Sequence, residues 1–587
     1  MNLLKHGIRS SLLLLIVFLS ACGNNESSES ETNIKRPDYV IVHQLAEPAS
    51  LNPSNSRGSA STMMYYNLYQ ELINADFETM EIIPVLAKER AVFKPIEGSD
   101  WVEMLFEIKE EAVWDNGKPI TGEDIAFSLK TIKVPQTNNG HKKHAFEYIK
   151  AFEIDKENPK KVKFICESYM LAEQVMSDLH ILPRYLYDEA NVLKDYSIEM
   201  LSDTAQKATL EADPVLIKFA EGFNSVKFQR EVVKGSGPYE LVEWEADQRL
   251  VFSKKDNWWG DALKDESHWF QAYADTIIYE IIKDNSSALA ALKSGRVNTM
   301  FAIDPKDYLE QCKTEAFQKK FYTFEPYMYA YDYIGFNLSR PIFDDKNTRK
   351  ALAHLMNTKQ LIETACSGLA EQTACFSHPT RPEQLSDKVK PYEFDITKAK
   401  EYLTKAGWGD ANNDGILDKD IDGVNTPFVL KIVTNNENNR RKTACSILKD
   451  AAKEVGITIN IETPVWKQFL PQIMQKRDFD LFVSGLISSP FDSDPRQTWH
   501  SESIGNGSNH FGFSNEKVDN AIDALRIELD AEKRNPYYHI IHEQINEEVP
   551  VIFLITQRER IAVSKKFDNV WKTTMKPGFW APGFMAK

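Results

Sequence analysis

Strand patterns and helix patterns alternate along this chain, and that alternation limits how it can fold more than any other feature. Residues 101–110, WVEMLFEIKE, place apolar and charged side chains in turn, which predicts a half-buried strand. Residues 121–132, TGEDIAFSLKTI, predict a helix whose first turn Thr121 and Asp124 cap reciprocally. The chain therefore changes from strand to helix within a few residues of the Asn-Gly turn in WDNGKP.

The same order recurs in the second half of the chain. Strands are predicted at FVLKIVT near 428, at ITINIE from 457 and at FDLFVSG from 479. Between the first two, residues 442–456 have helical spacing and end on Gly456. Helices that separate successive strands predict a mixed α/β body with partly parallel sheets.

The length of the chain predicts more than one core. A single hydrophobic core stops growing at about 250–300 residues, and this chain has 587. We find no internal repeat and no low-complexity linker within the body. The domains are therefore expected to be interwoven.

The N-terminus predicts export and a lipid anchor. Residues 12–19 are apolar and follow basic side chains, but a membrane span needs about 20 apolar residues. The pattern is typical of a secretion signal, and residues 19–22, LSAC, resemble a bacterial lipobox. We predict a signal peptide over 1–21 and lipidation of Cys22. The alternative is an ordinary signal with a chance cysteine.

The segment after the signal predicts a tether. Residues 22–37 carry almost no apolar side chains beyond the cysteine, so they cannot offset the entropy of folding. Removing 1–21 takes away two basic residues and no acidic one, so the formal net charge falls from −16 to −18. This charge argues against a nucleic-acid partner, which needs a basic surface. The lipid anchor would supply the membrane attachment.

Five cysteines follow Cys22, an odd number for an exported chain. Cys366 and Cys375, nine residues apart, are the candidate disulfide pair. The absence of a C-x-x-C pattern from the sequence disfavours a cysteine-based zinc site.

Seven segments, spread in order from about residue 38 to the end, resemble those of the family-5 extracellular solute-binding proteins of ABC transporters. That group includes oligopeptide-, dipeptide- and nickel-binding proteins. The segments are LNPSNSRGSASTMMYYNLYQELI, IPVLAKE, AVWDNGKPITGEDIAFSLK, GSGPYELVEWEADQRLVFSKKDNWWG, LKSGRVN, YIGFNLSRPIFDDKNTRKALAHLMN and VWKQFLPQIMQKRDFDLF.

The resemblance implies an α/β fold that is class II periplasmic-binding-protein-like, with two lobes, a hinge and an extra domain inserted in the first lobe. The chain would cross to the second lobe at YDYIGFN, residues 331–337, and return within 549–564. The implied bounds are 38–78, 230–325 and 556–587 for lobe I, 79–229 for the inserted subdomain and 326–555 for lobe II.

The resemblance also implies a ligand cleft between the lobes. In peptide-binding members an aspartate grips the amino terminus of the peptide, but here its position falls on Ser489 or Phe491, depending on the register. Asp492 and Asp494 are the nearest carboxylates. Arg57 stands where binders of longer peptides can carry an acid, and an arginine suits a carboxylate or phosphate.

Three further lobe II residues complete the predicted cleft, Trp466, Arg496 and Trp499. The tryptophans would enclose apolar parts of the ligand, because binding sites combine aromatic walls with a few convergent polar groups.

The segment DANNDGILDKD has calcium-loop spacing, with Asp410, Asn412, Asp414 and Asp418 at positions 1, 3, 5 and 9. Position 12 is Ile421, where such loops carry glutamate. The alternative is a surface turn stabilised by Asp and Asn side chains. In HIIHEQIN the histidines are not spaced as in H-E-x-x-H, and we predict an exposed helix face there.

The function predicted on these grounds is that of an extracytoplasmic lipoprotein that captures a peptide or peptide-like solute. It would be a monomer that requires no cofactor, with calcium as a candidate ion, and its partners would be an ABC permease and ATPase complex. The alternatives are a non-peptide solute such as a metal chelate or oligosaccharide, a sensor, or a membrane-anchored hydrolase. Neither G-x-S-x-G nor H-E-x-x-H occurs in the sequence.

Overall fold

The computed structural model describes residues 39–55, 59–489, 491–505 and 507–587. The predicted signal peptide, the tether 22–37, Cys22 and Arg57 lie outside the described residues. None of the helices in the described ranges is long and apolar enough to cross a membrane.

A first sheet of seven described strands collects segments from both ends of the chain. Its strands, in spatial order, are Phe321–Phe324, Ile561–Ser564, Thr299–Met300, Tyr39–Gln44, Thr276–Ile281, Arg249–Lys254 and Tyr239–Glu245. The last two form an antiparallel pair within the segment that begins GSGPY, and Tyr39–Gln44 runs parallel to Thr276–Ile281. These strands fall in the three segments predicted for lobe I.

A second sheet of six described strands lies within the segment predicted for lobe II, except that the strand Val551–Arg558 continues three residues past residue 555. The order is Ala370–Gln372, Val551–Arg558, Tyr327–Phe336, Leu481–Ile487, Val429–Val433 and Thr458–Glu462. The last two are parallel and are joined by the helix Asn439–Lys453. This strand–helix–strand unit confirms the pattern predicted for residues 428–462, and its helix stops three residues before Gly456, whose φ is +80°.

A third sheet belongs to the predicted inserted subdomain. Its strands, in order, are Val92–Pro95, Trp101–Glu107, Lys161–Glu167 and Ile149–Ile154. The helix Gly122–Lys133 begins after Thr121, whose N–H donates to the Asp124 carboxylate at 3.1 Å, as predicted. Within the described ranges, three two-stranded sheets pair Ile73–Ala75 with Ile82–Pro84, Asp418–Ile421 with Val424–Pro427, and Phe567–Asp568 with Met585–Ala586.

Helices cover the sheets. Besides Gly122–Lys133 and Asn439–Lys453, the longer described ones are Ser59–Leu68, Pro214–Phe223, Asn285–Ser294, Lys346–Leu355, Thr358–Cys366, Ile396–Lys405, Glu516–Ile527 and Ala531–Glu548. Asp345 caps the helix that starts at Lys346, accepting from the Asn347 N–H at 2.8 Å. Asp345 therefore fixes where this helix begins.

Two neighbouring crossings join the first and second sheets. The outward crossing is Glu325–Pro326, earlier than the predicted 331–337, because Tyr327–Phe336 already pairs along the second sheet. The return crossing is Glu559–Arg560, inside the predicted segment. The Glu559 N–H donates to the Pro326 carbonyl at 2.7 Å, so the two crossings are bonded side by side.

The glycines of GSGPY make room for a neighbouring backbone. A Cβ added at Gly235 would lie 2.2 Å from the Leu68 carbonyl oxygen, and one at Gly237 would lie 2.6 Å from the Asn67 carbonyl oxygen. Close approach to the end of the helix Ser59–Leu68, and not a left-handed backbone, therefore explains both glycines.

The predicted disulfide is contradicted by the structure, in which Cys366 and Cys375 are separate buried thiols. Cys366 ends a helix and packs in the core of the second sheet. The Cys375 thiol instead donates to the Ser377 carbonyl at 3.5 Å. The two sulfurs therefore lie in different surroundings, although the residues are near in sequence.

A buried carboxyl–imidazole pair sits beside the inserted subdomain. Glu71 Oε1 lies 3.1 Å from His180 Nε2, and both side chains are buried. Burial raises the pKa of Glu71 from 4.5 to about 8 and lowers the pKa of His180 to about 3. The carboxyl is therefore mostly protonated and the imidazole neutral at pH 7.

The stability contribution of Glu71 is expected to fall as pH rises. Between pH 4.5 and 8 the folded chain holds a proton that the unfolded chain has released, so unfolding releases a proton and becomes easier at higher pH. Glu71→Gln keeps a neutral side chain at every pH. The stability of the variant relative to wild type should therefore rise by up to about 1 kcal/mol per pH unit, measured by urea unfolding from pH 5 to 8. Glu189→Gln, on the exposed surface, is the control. If the stability of wild type and that of Glu71→Gln changed with pH in parallel, the raised pKa of Glu71 would be contradicted.

Candidate functional site

A large cleft opens beside the two crossings, between the first and second sheets. Its volume is about 1640 Å³, above the roughly 300–1,000 Å³ typical of drug-sized ligand pockets. The described wall is built from several separate segments and two single residues: 77–82, 90–93, 170–174, Lys313, 322–327, 380–383, 491–492, 529–534, Arg558 and 570–574. The cleft is thus assembled only when both lobes fold.

Aromatic side chains line much of this cleft. They come from the first sheet, the inserted subdomain, the crossings and the second lobe: Phe77, Phe93, Tyr322, Phe324, Tyr327, Phe491 and Trp571. Aromatic faces provide a large apolar contact area without fixing one ligand shape. The wall therefore suits a ligand with varied apolar groups.

Asp492 is the predicted ligand residue that the structure places on the cleft wall, but its carboxylate is already bound within the protein. Oδ1 accepts from Arg381 Nη2 and from Gln384 Nε2, each at 2.7 Å, and Oδ2 pairs with Arg534. The Asp492 side chain is buried. This set of contacts organises the wall of lobe II and engages both carboxylate oxygens of Asp492 within the protein.

The other four described candidates do not line the cleft. Asp494 pairs with Arg526 at 2.8 Å, and Arg496 pairs with Asp523 at 2.6 Å. Trp499 is 2% exposed and stacks within the core of lobe II. Trp466 is 44% exposed on a helix and stacks on Phe469. Of the described candidates, Asp492 therefore lies on the cleft wall, and the other four lie away from it.

Most charged side chains of the described cleft wall are paired with one another. Arg90 holds Glu173 through two bonds, of 3.1 and 2.6 Å, and Lys313 holds Glu325. By contrast, within the described residues Glu78, Glu81 and Lys572 form no ion pair. They lie on the lobe I side of the cleft and are exposed. They are the wall's available charges, two negative and one positive.

These three residues were not predicted from the sequence. Glu78 and Glu81 lie at the turn and edge of the hairpin Ile73–Pro84, and Lys572 follows the return crossing by a dozen residues. In sequence they are ordinary charged residues in short irregular stretches. Only the tertiary fold brings them to one wall.

The calcium-type loop is a turn held by its own side chains. The Asp410 carboxylate accepts from the main-chain N–H groups of Asp414 and Gly415 at 3.1 and 3.0 Å. Asn412 Oδ1 also accepts from the Asp414 N–H, at 2.9 Å, while Asp418 lies in the adjoining strand. Over the described residues we find no group of three or more His, Cys, Asp or Glu side chains placed to hold a metal ion.

The HIIHEQIN segment does not form the exposed helix face that we predicted. His542 is buried, with Nδ1 3.0 Å from the Gln384 carbonyl and Nε2 3.2 Å from Ser377 Oγ. Burial lowers its pKa to about 3, so the ring is neutral at pH 7. His542 supports the turn that carries Gln384, a partner of Asp492.

Two sheets joined by paired crossings, with a wide aromatic cleft beside them, define a two-lobed solute-binding protein that closes about a hinge. The family model described as "Bacterial extracellular solute-binding proteins, family 5 Middle" matches residues 81–508. The chain therefore belongs to this family, which confirms the resemblance and the two-lobed fold. Family members are extracytoplasmic binding proteins of ABC transporters rather than enzymes.

Relatives and solved structures agree with this placement. The oligopeptide-binding protein AppA of Bacillus subtilis is 25% identical over 567 residues, covering 95% of this chain and 94% of AppA. The structure of Bacillus subtilis AppA with a nonapeptide has a TM-score of 0.66 at 23% identity, covering 94% and 100% of the two chains. NikZ of Campylobacter jejuni with Ni(L-His) has a TM-score of 0.64 at 22% identity, covering 91% and 95%.

Proposed function

We propose that this protein captures an oligopeptide in the cleft by lobe closure and delivers it, as a monomer, to an ABC permease. The observation that carries this proposal is the cleft itself, at about 1640 Å³ with aromatic walls. Its free charges are of both signs, and a peptide has an amino terminus and a carboxylate. The name of AppA and its nonapeptide complex support the same ligand class.

The charges suggest how the peptide would lie. Glu78 and Glu81 would meet its cationic groups, and Lys572 a carboxylate. The ion pairs of the wall would remain intact when the peptide binds. Breaking a buried ion pair costs more free energy than one exposed contact with the ligand contributes. Side-chain specificity would be broad, because the aromatic surfaces accept different apolar groups.

Native mass spectrometry of freshly purified protein, followed by calorimetry with peptides of graded length, tests this proposal. We expect retained masses that fit peptides, and binding that strengthens from dipeptides to longer peptides. Lys572→Met should weaken binding about two- to fivefold, the effect of one exposed charge contact. Lys587→Met, at the C-terminus and outside the described cleft wall, is the control. A retained sugar or metal chelate, with no peptide binding, would contradict the peptide assignment.

The lipid anchor is a further proposal, supported by LSAC at residues 19–22. Cys22→Ser should leave a protein that is unprocessed or released from membranes. Intact mass and membrane fractionation of the full-length chain measure both effects. A variant that stays with the membrane at the processed wild-type mass would contradict lipidation.

Calcium binding at Asp410, Asn412, Asp414 and Asp418 stays a prediction. A cation that binds only the folded state raises the melting temperature, so millimolar calcium should raise it in wild type and not in Asp414→Ala. Magnesium at the same concentration controls for ionic strength. If calcium did not change the melting temperature of wild type, the calcium prediction would be contradicted, and the loop would serve only as a turn held by its own side chains.

A further inference from the structure

One segment of the inserted subdomain reaches across and contacts lobe II directly. This bridging segment, residues 169–174, follows the strand Lys161–Glu167. The Met170 N–H donates to the Arg526 carbonyl at 2.7 Å, a main-chain bond between parts of the chain more than 350 residues apart. The Tyr169 ring also lies 5.5 Å from the Arg526 guanidinium.

Apolar packing supports the same contact from both sides. Met170 and Leu171 are buried among the core residues of lobe II, including Phe511 and Tyr538. Conversely, Leu529 of lobe II packs against the core of the inserted subdomain. An interlocked apolar contact of this kind excludes water from the polar bonds beside it.

Gln174 ends the bridging segment beside the ligand wall. Its Nε2 donates to the Asp492 carbonyl at 3.1 Å and to Ser489 Oγ at 3.3 Å. Both acceptors lie near the position where the family resemblance places the peptide's amino terminus, and Gln174 and Asp492 line the cleft. Gln174 therefore links the inserted subdomain to the wall of lobe II across the cleft.

We propose that the bridging segment holds the closed state and that Gln174 is its positioning residue for ligand retention. A contact made only when the lobes are closed raises the closed population, and apparent affinity rises with that population. Gln174 would thus slow ligand release by holding Asp492 and Ser489 in place. The effect on peptide affinity rests on the proposed function, but the effect on closure does not.

Hydrogen exchange of the ligand-free, full-length protein tests closure without any ligand. The Met170 amide, bonded across the cleft, should be protected in wild type and should exchange about fivefold faster in Gln174→Ala. Ser489→Ala removes one of the same bonds from the other side and should act in the same direction. Gln206→Ala, whose side chain bonds Asp203 within the inserted subdomain, should leave the rate unchanged. An unprotected Met170 amide in wild type, or equal rates in all variants, would overturn the proposal.

Peptide release supplies the second measurement. With a random nonapeptide mixture as the probe, Gln174→Ala should weaken binding roughly five- to tenfold, mainly through faster dissociation. An unchanged dissociation rate would overturn the role of Gln174 in retention. If wild type binds no peptide, the proposed function fails, and the exchange rate of Met170 still decides whether the bridging segment holds the lobes together.

Discussion

Replacing Asp492 with alanine should lower the free energy of unfolding of lobe II by about 3–5 kcal/mol. The substitution leaves the buried guanidinium of Arg534 and its neighbour Arg381 without their shared anion. It also removes the acceptor of Gln384. Removing one partner of a buried pair is costly because the remaining charge cannot regain its hydration. Urea unfolding monitored by tryptophan fluorescence measures the loss.

Asp387→Ala, an exposed neighbour in sequence of these partners, provides the matched control and should change stability by less than about 0.5 kcal/mol. If Asp492 instead served mainly as a ligand anchor, its alanine variant would keep wild-type stability and lose only peptide affinity. That result would contradict the internal network around Asp492. The two measurements, stability and affinity, therefore separate a supporting role from a direct contact.

Replacing Trp499 with alanine should lower the free energy of unfolding by about 3–5 kcal/mol, the cost of removing a large buried aromatic side chain. The ring packs 5.0 Å from Phe511 and 5.8 Å from Phe376, centroid to centroid. Its removal leaves a void that the surrounding rings cannot fill without moving. Denaturant unfolding of the purified variant measures the cost.

Trp466→Ala is the informative control, because the same residue type is removed from a position that is 44% exposed. Its expected cost is below about 1.5 kcal/mol, since water already reaches the ring. Equal losses for the two variants would contradict the core placement of Trp499. If Trp499→Ala kept wild-type stability but lost peptide affinity, and Trp466→Ala kept both, the result would support the predicted role of Trp499 in the cleft.

Much of the fold could be predicted because it depends on short-range patterns. The capped helix after Thr121, the strand Trp101–Glu107 and the unit around Asn439–Lys453 follow from apolar spacing and terminal residues. The two lobes followed from the family resemblance, which the match over 81–508 confirms. The bounds predicted for each lobe and for the inserted subdomain stay predictions.

The site was harder to predict because its wall is assembled from segments that are far apart in sequence. Asp492 was selected for being an acid near an expected position, but its role depends on Arg381 and Arg534, more than 40 residues away on either side. Trp499 was selected for being aromatic, a property that cores and clefts share. Nothing in the sequence marked Glu78 as a site residue, because only the folded hairpin Ile73–Pro84 places it beside the cleft.

The paired crossings determine which relative movements the lobes can make. A lobe on one strand could swivel around it, whereas two strands bonded between Glu559 and Pro326 resist that rotation. Bending across the pair is then the easy movement, so the lobes open and close along a single path. Each closing movement brings the same side chains of the two lobes together. The lobes therefore need not sample many relative orientations before they enclose the ligand. The permease would accordingly meet one closed shape, whichever peptide lies inside.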